Sequence, residues 1–199
     1  MESHLTVLLP LTAVWLTAGW FADGLPRLDH ARALHRRTGW VLALTLTGLG
    51  LTAGVLVAGL SSAGATPADR AAAGLTLAAA PALVVAACTV RRVRRLRAGA
   101  AALSSASETP APHGLRASAA HPLIGLPVQV TGLGILPAVA AASTPDLPFG
   151  AGVTGLAITV GVLGVAAIGV RHALRHSRLV ERAVPAHPTS PRAAGALHV

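Results

Sequence analysis

The sequence predicts an all-α polytopic integral membrane protein of five transmembrane helices, with the N-terminus out and the C-terminus in. Three observations carry this reading. Of the 199 residues, 53% are apolar and only 12% are charged, outside the range of soluble domains. The apolar residues fall in long blocks separated by short polar ones. Finally, Arg91, Arg92, Arg94, Arg95 and Arg97 follow one such block directly. Arginine is excluded from the hydrocarbon centre and accumulates in short cytoplasmic loops, so this cluster fixes an inside point.

The membrane domain is expected over residues 1–178, and its first span over about 5–21. A cleaved signal peptide fits poorly there, because Met1-Glu2-Ser3-His4 lacks positive charge and Trp20-Phe21 replaces the small residues of a cleavage site. Gly24-Leu25-Pro26 breaks the helix, and residues 27–37 form a basic inner loop, with a short interfacial helix as an alternative, in which Asp29 is expected to partner Arg32 one turn on. The second span runs over about 39–60, with Trp40 at the inner interface and Gly50-x-x-x-Gly54 as a small-residue packing surface.

Thr66-Pro67-Ala68-Asp69 reads as a helix start, with a capping Thr, Pro at the first helical position and an acid near the positive helix end. The third span therefore covers about 69–90, bent at Pro81, and stops at the arginine cluster. Residues 98–117 are Ala/Ser/Pro-rich without apolar periodicity and are expected to be a flexible inner loop. The fourth span, about 121–142, is interrupted by Pro127 and Pro137, which argues against a regular straight helix. A tight outer loop leads to the fifth span, about 149–170, whose Gly152, Gly155, Gly161 and Gly164 thin its surface for packing. A second basic stop, Arg171 to Arg178, closes it, and residues 179–199 are expected to be a disordered inner tail.

The arginines test this scheme, since a wrong number of spans would scramble their alternation. Fifteen fall in the inner segments and one, Arg70, in an outer segment. All sixteen basic residues are Arg, a bias of GC-rich bacterial coding, so the bacterial inner membrane is the expected location. The net charge of +9 does not point to nucleic acid, because the arginines lie between apolar runs instead of on one face of a domain. Anionic lipid head groups are the expected partner, with Arg91, Arg92, Arg94, Arg95 and Arg97 as the lipid-facing basic cluster. The single cysteine, Cys88, excludes an intramolecular disulfide.

No Asp, Glu, Lys, Arg or His falls in the central portion of any span, which disfavours a proton relay. Gln129 and several threonines are the polar groups at depth, and threonine hydroxyls bond back to their own helix. Two segments repeat one pattern: His35 is followed four residues later by Gly39, and His121 by Gly125. A glycine one turn beyond a histidine clears the same helix face, room enough for a flat macrocycle whose iron the imidazole ligates.

His35-Arg36 with Gly39, then Thr52 and Gly54 along the same apolar helix, resembles the helix starts of PepSY-type membrane helices and, more loosely, of b-type membrane cytochromes with haem-ligating histidines. The resemblance is confined to the start of the second span. It implies one haem b near the inner surface, with His35 and His121 as the cofactor-binding positions. The second histidine pair of di-haem cytochromes is missing. Read without that resemblance, His30, His35, His172 and His176 form a solvated rim beside arginines and lipid phosphates. The protein is then a small packing or transport-associated subunit, as a homo- or hetero-oligomer, with no catalytic residues. An interfacial lipid-modifying enzyme would need clustered carboxylates, and the inner loop offers only Asp23 and Asp29 with His30.

Overall fold

Between membrane helices, burying leucine gains little over leaving it in lipid, so close association depends on small side chains and interhelical hydrogen bonds. The first two helices follow that rule. In this computed structural model, which describes residues 5–61, 67–104, 110–143 and 151–183, α1 spans Leu5–Gly24 and α2 spans Ala31–Ser61. The buried positions of α2 are Ala31, Leu34, Thr38, Val41, Thr45, Gly48 and Thr52, an alternating three- and four-residue spacing that makes one seam. Its threonines bond back to their own helix: Thr38, Thr45 and Thr52 donate to the carbonyls of Leu34, Val41 and Gly48. Against this seam α1 presents Trp15, fully buried, whose Nε1 donates to Thr52 Oγ1 at 3.1 Å. A Cβ on Gly48 would lie 2.8 Å from the Trp15 ring, so the indole occupies the place where a side chain would be.

The rest of the described chain is also helical: α3 (Pro67–Gly74), α4 (Thr76–Val84), a π turn (Val85–Thr89), α5 (Val90–Ala102), α6 (His113–Ala119), α7 (Pro122–Ser143) and α8 (Ala151–Ala183). Among the described residues, four helical stretches are long and apolar enough to cross a membrane: Leu5–Arg27, Ala31–Ser61, Thr76–Ala102 and His113–Val139. Two interior clusters hold them together. One joins Leu8, Leu11 and Trp15 to Leu75, Val85, Val128 and Ile135; the other joins Leu25, Leu34 and Val41 to Val93, Leu96 and Ile124. The π turn follows Pro81, which has no N–H to give, and Thr89 within it donates across to Leu123 O of α7 at 2.6 Å.

Several boundaries move. The basic loop expected over 27–37 is mostly the first two turns of α2, preceded by a 3-10 turn at Leu25–Arg27. The arginine cluster does not end a helix but lies within α5, because a helix that has left the hydrocarbon can continue in water. The segment 98–117, expected to be flexible, is helical at both ends, with Ala100 and Ala117 buried. Pro127 and Pro137 leave α7 unbroken as a helical element. The last helix runs through the second basic stop to Ala183, so the tail expected from 179 begins with ordered helix and a buried Leu179. Thr66, the outer loop after Ser143 and residues 184–199 lie outside the described residues, as do the surroundings of Gly152 and Gly155.

Candidate functional site at the arginine-rich end

The short link between α1 and α2 turns both helices at the same end, and the lower halves of α5 and α8 join them there. At this end Asp23 is the focus. Its carboxylate accepts from Arg171 and, at 3.0 Å, from Arg175, both on α8, and pairs with Arg27 at 3.4 Å. Arg175 also donates to the Asp23 backbone carbonyl at 3.1 Å. The Asp23 side chain is only 15% exposed, so these bonds work in a partly desolvated setting where charge-assisted hydrogen bonds are strong. Arg171 and Arg175 are four residues apart and reach one carboxylate from successive turns of a single helix face.

Next to Arg171 on α8, His172 is buried, with 4% of its surface exposed. Its Nε2 donates to Gln129 Oε1 of α7 at 3.0 Å. Two glycines make this possible. A Cβ on Gly125 would fall 2.5 Å from His172 Cε1, and one on Gly19 would fall 3.1 Å from Gln129 Cγ. Burial pushes the His172 imidazole below its ordinary value, Arg171 adds to the effect and Asp23 opposes it. His172 is thus a neutral hydrogen-bonding wedge, not part of a solvated rim. The signal missed in the sequence was the pair Gly125 and Gln129, which clears a face of α7 and supplies one polar partner on it.

His176, one turn on, donates through Nδ1 to Ala117 O at 3.1 Å and stacks, tilted, 5.0 Å from the ring of His121. His121 Nδ1 accepts the backbone N–H of Leu123 at 3.1 Å, which assigns its proton to Nε2. These two imidazoles, with Arg92, Arg95 and Ser118, line a cavity of about 510 Å³ whose walls also include Leu96 and Ile124.

The two histidines singled out in the sequence therefore meet different partners. His121 faces His176, whereas His35 on α2 donates through Nδ1 to Arg97 O of α5 at 3.2 Å. The glycines one turn beyond them are also taken: Arg97 lies 3.8 Å from a Cβ on Gly39, and His172 fills the space beside Gly125. Of the five arginines after the third span, Arg91, Arg94, Arg95 and Arg97 are exposed and Arg92 is partly buried. Arg37 instead folds back over Gly24, donates to Phe21 O at 3.3 Å and lies over the Trp20 and Phe21 rings. Asp29 pairs with Arg116 at 3.3 Å and not with Arg32, because α6 is tied alongside by the Ala111 N–H to Asp29 O bond of 2.7 Å. Among the described residues, no three His, Cys, Asp or Glu side chains converge as a metal site would require.

Compared with family models, with curated proteins and with solved structures, the chain matches none.

Proposed function

We propose that this chain is a five-span subunit of the bacterial inner membrane, N-terminus out and C-terminus in, whose work is to pack against partner helices or against its own copies, as a small packing or transport-associated subunit. The supporting observation is how its glycines divide. Gly19, Gly48, Gly74 and Gly134 are filled by neighbouring side chains or backbone, whereas Gly50 and Gly54 on α2 and Gly161, Gly164 and Gly169 on α8 meet no atom within 4 Å. Both helices therefore present thin faces to their surroundings, which suits close approach by another helix. The upper part of α8, with Val160 and Leu163 outward, forms the fifth span, while the contacts with α6 come from the lower half of the helix. The test is particle mass in native nanodiscs. Gly54→Leu with Gly161→Leu is expected to reduce an assembly to single chains without unfolding them. A wild-type protein that is already a single chain would overturn the reading.

A single haem b on His35 and His121 is the rival. Both histidines belong to the arginine-rich end, which supports it. Two features weigh against it: Arg97 and His172 fill the glycine-cleared spaces, and iron at His121 Nε2 would displace the proton that its bond with Leu123 places there. Sharp Soret and reduced-minus-oxidised bands in haem-supplied protein, lost in both His→Ala variants, would establish it. An interfacial lipid-modifying enzyme has less support, since Asp23 and Asp29 are each engaged by arginine instead of facing one another.

A further inference from the structure

Along the lower part of α8, Arg171, Arg175, Arg178 and Arg182 recur at intervals of four, three and four residues, which puts them on one face. Facing them across a cavity of about 600 Å³ are Arg27 and Arg116. Six arginines thus surround one space, with two carboxylates among them: Asp29, paired with Arg116, and Asp23, held behind by Arg27, Arg171 and Arg175. Among the described residues Arg178 and Arg182 form no ion pair, and Glu181, the acid beside them on α8, does not line the cavity. Like charges are not gathered around a space without cost unless an anion offsets them. The arginines occupy successive turns about 5.4 Å apart, so a phosphate lying between two adjacent rungs is within reach of both guanidiniums. The cavity also has an apolar side. Leu174, 53% exposed, lies between the arginines, and the apolar part of α8 begins immediately above Arg171.

We propose that this cavity binds a phospholipid carrying two phosphates, with Arg178 and Arg182 holding one phosphate, Arg171 and Arg27 reaching the other, and Leu174 against the glycerol and first acyl carbons. The anionic chemistry of the ligand follows from the arginines of the cavity alone. Its membrane source rests on the five-span reading, which sets Arg171 at head-group level.

Native mass spectrometry of the full chain, released from phosphatidylcholine nanodiscs containing cardiolipin or phosphatidylglycerol at matched phosphate, tests both. One retained cardiolipin is expected, preferred about tenfold over phosphatidylglycerol. Arg178→Gln with Arg182→Gln should weaken retention about twentyfold, near fivefold per arginine. Arg91→Gln with Arg94→Gln, which removes the same charge from α5 away from the cavity, should leave it within about twofold. Equal loss in the two pairs, or no preference for cardiolipin, would overturn the site. Inorganic pyrophosphate that binds lipid-free protein as tightly and displaces cardiolipin would overturn the lipid source. The same spectra report oligomeric state, so a single chain that keeps its cardiolipin refutes the packing reading and leaves this site standing.

Discussion

The α1–α2 pair and helix α8 are held to the molecule by different physics. Between α1 and α2 the contact is shape: a tryptophan lies where Gly48 has no side chain, and threonines satisfy themselves. Away from the arginine-rich end, where Arg37 donates to Phe21 O, no contact described between them carries a formal charge. The last helix is held through its lower half, by an imidazole to Gln129, two guanidiniums to Asp23, and Leu179 against Ala117 and Ala120. The first kind of contact is indifferent to salt and pH, and the second is sensitive to both. A membrane protein can thus have one seam set by packing and another set by solution conditions.

The largest effect should come from breaking the first seam. Trp15→Ala removes the indole from a site with no exposure and leaves Thr52 without its donor; it should cost about 3–5 kcal/mol, read as loss of detergent-resistant fold. Next, Asp23→Ala leaves Arg171 and Arg175 without their shared carboxylate and should cost about 2 kcal/mol, confined to α8. Hydrogen exchange should then rise over residues 171–183 and stay unchanged in α1 and α2; a uniform rise would erase the contrast between the seams.

Acid should act on α8 as well. The folded His172 imidazole holds its proton less tightly than its ordinary value of 6.5 implies, so the unfolded chain binds more protons as the pH drops. Docking is then at full strength above pH 6.5 and is lost as the pH falls through the lower folded value. His172→Gln should flatten this dependence in the same exchange experiment. The smallest effect is expected at Gly50→Ala, which meets open space and should change the stability of the single chain by less than about 0.5 kcal/mol.

Four of the expected spans were legible because length and apolarity are local properties, and so was the gathering of arginines, which follows from their place between apolar runs. The glycines were not. Gly50 and Gly54 have the spacing of a packing motif yet face outward, while Gly48, two residues earlier, takes the tryptophan. Spacing alone does not say which face of α2 meets α1; that depends on where Trp15 falls. His172 was misread for a similar reason. Its neighbours in sequence are arginines, but its neighbours in space are Gly125 and Gln129, more than forty residues away. Asp29 likewise had a nearby candidate in Arg32 and took Arg116, because the bridge between His30 and Pro110 brings α6 alongside.

The distance between Asp23 and its partners also sets the order of biogenesis. Asp23 and Arg171 are separated by 148 positions. At a synthesis rate of about 5–20 residues per second, the carboxylate waits roughly 7–30 s for the guanidiniums that neutralise it. Through that interval the nascent chain has Arg27 alone beside Asp23, and any chain terminated before α8 keeps that state permanently. The ion pairs of Asp23 with Arg171 and Arg175 therefore close only after the final helix has been made.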